Sequence, residues 1–362
     1  MNKYLKNYTL FNRKVKNNGE FTSVLRTILK IPALQYIVFG IMMCFVGYLM
    51  GEKVLPFSWQ LTFATTFAYA IAAIGFCLLM GYSGLASLGT GGFIGIGTYA
   101  VHYIMVEAGL PLIGAIAVAL AVSILIGLIV GFISLRIEGI YLVILTLALS
   151  EILRTLYAAI QPVLTLYSHQ ALVFGKPLPI KSRLMFATVF LVIIMIITTN
   201  LINSPTGRAM LAMKNSTAAA QAMGISLIKY RLMAFVICTA YASITGVLLM
   251  MLQGSADALL PTGFYALITS LNILAAVIIG GYKSVWGAVF GAFMMYGIEI
   301  VSNKVPFLAE NPLIITLLAG VLVIVIVMFF PGGLAQLLLE AKGKIKKLKQ
   351  RIKEDKYGKD LG

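Results

Sequence analysis

Charge is the scarcest property of this sequence. Only 12 of its 362 residues are Asp or Glu, and charged residues make up 11%, less than half of the roughly 25% usual in soluble domains. Histidine occurs twice and cysteine three times. Cys44, Cys77 and Cys238 fall inside apolar runs with no metal-ligand spacing. They read as small buried hydrophobes, and neither a metal nor a cofactor is expected. What fills the chain instead is apolar: 60% of residues are hydrophobic and the mean hydropathy is +0.97. Such a chain is neither an ordinary soluble globule nor a disordered one, since it cannot keep that much apolar surface in water. A bilayer core about 30 Å thick needs about 20 apolar residues per helix. By that measure the sequence encodes an all-α polytopic membrane protein with about eight to ten transmembrane helices.

The charge that is present is unbalanced. A formal net charge of +16 and a pI near 9.7 suggest nucleic acid when taken alone. Placement argues against that partner. Seven basic residues precede Pro32 and nine follow Pro331, so basic segments flank an apolar body, as cytoplasmic ends do beside anionic membrane lipid. Apolar runs fall near 31–50, 59–79, 88–106, 111–134, 138–160, 184–202, 231–253, 264–281, 285–301 and 312–330. With the N-terminus inside, 22 of the 28 basic residues lie on the inner side, five on the outer side and Arg154 in the membrane. Both termini are therefore expected to be cytoplasmic. The 30 or so mixed residues before the first run favour a retained helix over a cleaved signal. The chain divides into a basic N-terminal segment at 1–30, a transmembrane domain at 31–338 and a basic tail at 339–362.

Glycine interrupts the apolar pattern twice. GYSGLASLGTGGFIGIG at 81–97 and GGYKSVWGAVFG at 280–291 stand about 200 residues apart, one in each half. Either can be a broken or re-entrant helix, and paired interruptions of this kind point to two pseudo-repeated halves with a solute path between them. Ser83, Ser87, Gly89 and Thr90 are the candidate path segment. Gly91/Gly95, Gly127/Gly131 and Gly287/Gly291 are spaced for close helix contacts. Two loops are long. The outer one covers 161–183. The inner one, 203–230, opens on the turn signal Ser204-Pro205-Thr206-Gly207 and continues into an Ala-rich run closed by Gly224, a small-residue helix suited to a partner's groove.

Three motifs bear on chemistry. IIGGYKS at 278–284 has Tyr282 where a phosphate loop needs glycine before its lysine, so nucleotide hydrolysis by this chain is not expected. GYSG at 81–84 is similar to the serine motif of intramembrane proteases, but Ser83 needs a general base. His102 lies roughly 28 Å further along a helix, and His169 falls in the outer loop. Glu151 and Arg154, three apart on one face of the fifth span, are spaced to pair inside the membrane. An ion-coupled carrier using Glu151 or Glu299 is the alternative of another class, weakened by the shortage of intramembrane acids.

Several segments, in order, resemble the permeases of branched-chain amino acid ABC importers, the longer of the two permease types. GYSGLASLGTGGFIGIGTYA at 81–100 is similar to the family's GYAGQLSLGHAAFFGIGAYA. LRIEGIYLVILTLALSEILR at 135–154 is similar to its RGIYLAIVTLAFAEILR. TGRAMLAMKNSTAAAQAMGISLIKYRLMAF at 206–235 is close to the cytoplasmic coupling loop. LNILAAVIIGGYKSVWGAVFGA at 271–292 and FFPGGLAQLL at 329–338 follow the two C-terminal motifs. Departures fall at Leu85 and Thr90, where the family has Gln and His.

The resemblance implies a permease subunit in a bacterial inner membrane, importing a small polar solute, most readily a branched-chain amino acid, with urea, amide, nucleoside or sugar permeases as alternatives. It implies four kinds of partner: ABC ATPase subunits that hydrolyse the ATP, a sister permease or a second copy, an extracytoplasmic solute-binding protein, and membrane lipid. By the same resemblance Arg208, Ala219, Ala220 and Gly224 belong to the coupling loop, with Ala219, Ala220 and Gly224 nearest the ATPase.

Overall fold

In lipid no water satisfies backbone N–H and C=O groups, so long apolar runs close their hydrogen bonds internally as helices. The computed structural model describes residues 32–51, 57–134, 140–167, 182–260 and 263–297, with isolated positions between 172 and 179 and between 317 and 333. In chain order the helices are α1 (Pro32–Gly51), α2 (Phe57–Leu78), α3 (Thr90–Val101), α4 (Leu112–Ser134), α5 (Ile140–Ile160), α6 (Arg183–Asn203), α7 (Pro205–Asn215), α8 (Thr217–Ala222), α9 (Leu227–Gln253), α10 (Leu267–Gly280) and α11 (Val285–Tyr296). A π turn, Leu79–Ser83, ends α2, and another, His102–Glu107, prolongs α3. Among the described residues six helices, α1, α2, α4, α5, α6 and α9, are long and apolar enough to cross a membrane.

The ten expected spans are thus drawn differently at 88–106, where α3 has 12 residues before its π turn, and in the C-terminal third. The runs at 264–281 and 285–301 appear as helices of 14 and 12 residues, shorter than the roughly 20 a span requires. The cause is local: Gly280 and Gly281 end α10, with Gly281 at φ 101°, and the Ser284 hydroxyl caps α11 by accepting from the Gly287 N–H. The run at 312–330 lies outside the described residues apart from isolated positions, and the segments 1–30 and 339–362 lie outside them altogether.

Two pillars carry the core. The spans of α2 and α9 are 89% buried, against 17% for α1 and 22% for α4 and α5. Their sequences explain this: FATTFAYAIAAIGF in α2 and CTAYASITG in α9 are rich in small residues, which let neighbouring backbones approach where lipid supplies no hydrophobic drive. α3 crosses α9 at backbone contact. A methyl group at Gly97 would collide with the Ser243 carbonyl, and one at Gly246 with the Ile94 carbonyl. The glycine pairs predicted for helix contact sit at such crossings: Gly127 and Gly131 face Thr239, Leu232 and Phe235 of α9, and Gly287 and Gly291 face α10. Buried hydroxyls tie the layers together, with Thr245 donating to the Ala68 carbonyl at 3.0 Å and Ser243 to the Ala119 carbonyl at 3.1 Å.

The all-α expectation holds but for two small ribbons at the end remote from α7 and α8. β1 (Val163–Thr165) pairs antiparallel with β4 (Ser255–Asp257), joining the exits of α5 and α9, and β2 (Leu172–Val173) pairs with β3 (Lys176–Pro177).

Candidate functional site

The loop between α6 and α9 folds into two short helices with their own caps. Ser204 is the N-cap of α7, accepting from the Gly207 N–H at 3.4 Å, and Pro205 follows in the first turn, where a missing N–H costs nothing. Ser216 caps α8 by accepting from the Ala219 N–H at 3.3 Å. Gly224 closes α8 at φ 77°. Its N–H reaches the Gln221 carbonyl, and the Ile225 N–H reaches that of Ala220, the reverse-turn cap that favours glycine. Arg208, Ala219 and Gly224 are exposed, as are Ala218, Ala222 and Met223. Ala220, grouped with Ala219 by the resemblance, is fully buried and faces the chain's own body. Met223, 69% exposed, is the large side chain at the tip. The sequence gives no sign of it, because one Met among 17 in an apolar chain is unremarkable.

Directly above this loop the two glycine-interrupted segments meet. The thiol of Cys77 donates to the Tyr282 carbonyl at 3.2 Å, and the Tyr82 hydroxyl to the Lys283 carbonyl at 3.1 Å. Gly81 admits the Tyr282 carbonyl where any Cβ would clash, and Gly333 abuts Gly281 behind it. Lys214, at the end of α7, donates through Nζ to the Met80 carbonyl at 3.0 Å and the Gly81 carbonyl at 2.9 Å, with the Tyr282 ring 4.5 Å away. Burial, and after it the charge of Lys283, push the Lys214 ammonium below the ordinary lysine value. Lys214 is a functional candidate the sequence reading passed over, since a loop lysine beside a membrane is ordinarily solvated.

The candidate path segment lies just beyond this junction. Ser83, Ser87 and Thr90 are buried, and the Ser83 hydroxyl donates to the Leu79 carbonyl at 2.6 Å. Among the described residues no histidine partners it: His102 is engaged near the other end, with Nδ1 3.3 Å from the Thr165 carbonyl, and His169 lies outside the described residues. The start of α3 exposes N–H groups with no intrahelical acceptor, and hydroxyls seal them. Leu88 donates to Thr146 Oγ1 at 3.0 Å, Gly91 to Ser270 Oγ at 2.8 Å and Gly92 to Ser150 Oγ at 2.9 Å. Thr146 and Ser150 stand six and ten residues into α5, about 9–15 Å along its axis. The break at 84–89 is therefore sunk into the membrane domain and tolerated because protein hydroxyls replace water.

Toward the far end, Arg154 Nε donates to Glu151 Oε2 at 2.9 Å and Arg154 Nη1 to the Ala258 carbonyl at 3.3 Å. Both side chains are about one-third exposed, on the flank of α5. Glu299 lies outside the described residues. Removing one member of the pair leaves the other's charge without its partner, a cost of about 2.5–3.5 kcal/mol at the centre of a span and less where water reaches the group. Glu151→Gln and Arg154→Gln are each expected to lower the yield of folded protein from membranes, and the double substitution to lower it less. A double variant as impaired as both singles combined would show that the two residues act independently.

Broken helices meeting at one end, a hydroxyl-sealed interior and an exposed small-residue loop define a multi-pass helical membrane protein of the kind that houses a solute path. The family model for branched-chain amino acid transport system permease components matches residues 60–332. The chain belongs to that family. It is similar to the high-affinity branched-chain amino acid transport system permease protein LivM of Salmonella typhimurium, 28% identical over 285 residues covering 68% of this chain and 66% of the relative. It is also similar to LivM of Escherichia coli strain K12, 28% identical over 259 residues covering 64% of this chain and 60% of the relative. A shorter match, 28% identical over 125 residues, covers 34% of this chain and 36% of the probable ABC transporter permease protein YphD of Escherichia coli strain K12. The chain thus spans 66% and 60% of the length of the two LivM relatives, less than two thirds of each. No solved structure is a significant match.

Proposed function

We propose that the chain is the membrane-spanning permease subunit of an ATP-driven ABC importer in a bacterial inner membrane, passing branched-chain amino acids. The exposed α8, a capped helix of small residues projecting from a permease-family membrane domain, carries the reading. In this reading Arg208, Ala219, Met223 and Gly224 meet an ATPase subunit that hydrolyses the ATP, and the surface with α8 is cytoplasmic, together with both termini. The side bearing β1 and β4 receives solute from an extracytoplasmic binding protein. A sister permease or a second copy completes the path, which Ser83, Ser87, Gly89 and Thr90 line once the junction above α7 opens. The Glu151–Arg154 pair, at membrane depth yet part-exposed, faces that path or the sister subunit, where ionised groups are better accommodated than in lipid. Scarce ionisable groups within the spans fit energy that enters from outside the membrane.

The test is reconstitution. The chain, co-purified with the ATPases, second permease and binding protein encoded beside it, is placed in proteoliposomes with radiolabelled leucine. Uptake is expected only with ATP and binding protein together. Uptake by the chain alone, in ATP-free vesicles under an ion gradient, would replace this reading with an ion-coupled carrier.

A further inference from the structure

Lys214 stands where three otherwise separate parts of the chain meet. It belongs to α7, the first helix of the exposed loop. Its ammonium caps the carbonyls of Met80 and Gly81 at the last turn of α2, and it sits 4.5 Å from the ring of Tyr282 in the turn between α10 and α11. Carbonyls at a helix C-terminus lack intrahelical donors and favour a cation. A cation over an aromatic face adds a second attraction. The parts it touches are also interlocked directly, through Cys77 with the Tyr282 carbonyl and Tyr82 with the Lys283 carbonyl. Gly84, at φ 75°, leaves room for the Lys214 stem, which a side chain there would crowd.

We infer that Lys214 is the clamp between the loop and the membrane domain: while its ammonium holds the end of α2 against the α10–α11 turn this end is shut, and withdrawal of α7 releases both. α7 suits a lever. It is 11 residues long, capped at its start by Ser204 and Pro205, and joined to α8 through the single residue Ser216. A pull on the exposed face of α8 is therefore delivered to Lys214 within a few residues. An ordinary helix cap has the same hydrogen bonds but no reason to respond to that pull, and this difference makes the role testable. Lys214 is a positioning residue. The inference rests on the importer reading for what supplies the pull, not for the contacts themselves.

Cys77 is a native reporter, buried beneath Tyr282, with Cys238 buried in α9 as a control for unfolding. N-ethylmaleimide labelling of the full chain, read at each cysteine by mass spectrometry, is expected to be at least about tenfold faster at Cys77 in Lys214→Met, the factor that losing even one of the two charge-assisted hydrogen bonds implies. Lys214→Arg, which keeps donors for both carbonyls, is expected to label like the unaltered protein. An unchanged Cys77 rate in Lys214→Met would overturn the clamp. In the complete transporter with binding protein and leucine, ATP is expected to change Cys77 labelling of the unaltered protein several-fold, and not that of Lys214→Met. Uptake that proceeds with no change at Cys77 would also overturn it. Should Cys238 accelerate with Cys77 in Lys214→Met, the fold has been lost, and the ATP response of the unaltered protein decides. If no ATPase is retained and no ATP-dependent uptake occurs, the importer reading fails, while the labelling of Lys214→Met and Lys214→Arg still decides whether Lys214 clamps.

Discussion

Gly246→Leu is expected to leave almost no folded protein. The α-carbon of Gly246 lies against the Ile94 carbonyl, and the reciprocal contact sets Gly97 against the Ser243 carbonyl. The obstacle is backbone, so no rotamer change relieves it. The α3–α9 crossing must separate, and with it the layer in which Ser243 donates to Ala119 and Thr245 to Ala68. Overpacking a well-filled core costs about 1–3 kcal/mol, and here a rigid obstacle adds the loss of buried hydrogen bonds at about 1–3 kcal/mol each. The sum reaches a large part of the roughly 5–15 kcal/mol that holds a domain together. Size-exclusion chromatography in mild detergent checks it. A monodisperse Gly246→Leu protein melting within a few degrees of the unaltered chain would refute the crossing. Gly114→Ala is the control: a methyl there rests 3.5 Å from Ile104 and is expected to be neutral or slightly stabilising.

Ala219→Trp is expected to abolish ATP-driven uptake while leaving the fold intact, and Ala220→Trp to do the reverse first. The two alanines are neighbours in α8, yet Ala219 is exposed and Ala220 fully buried. Among the described residues an indole at 219 meets only solvent, and it obstructs whatever docks there. An indole at 220 has no room and unseats α8 from the membrane domain. Uptake in proteoliposomes is expected to fall more than tenfold for Ala219→Trp, the factor for losing about 1.4 kcal/mol of a docking contact, with unchanged thermal stability. Normal uptake by that variant would show that this face of α8 docks nothing.

Much of this molecule was legible before any coordinates. The apolar runs near 31–50, 59–79, 111–134, 138–160, 184–202 and 231–253 became α1, α2, α4, α5, α6 and α9, because their length and composition leave the backbone no other way to satisfy itself in lipid. Gly224 marked the end of the Ala-rich helix because a terminator is local chemistry, whereas Ser204-Pro205, which reads as a turn, instead starts α7 with Ser204 as its cap. The glycine interruptions at 81–97 and 280–291 announced broken helices for the same reason. Their meeting was not legible. Cys77 and Tyr282 are 205 residues apart, and nothing in either segment encodes the other.

The sequence by itself determined the class of protein, where the glycine interruptions fall, the family motifs and the small-residue loop helix, since each depends on composition or on residues close in the chain. Tertiary structure alone decided which alanine of α8 faces outward, which hydroxyls seal the start of α3, and that Lys214 reaches the carbonyls of Met80 and Gly81. Those outcomes depend on how helices remote in sequence lie against one another. In a chain where 60% of residues are hydrophobic, nearly every helix face is apolar, so periodicity does not say which face a neighbour will cover. Backbone approach at glycine and the need of each buried N–H and C=O for a partner make that choice, and both are properties of the assembled fold.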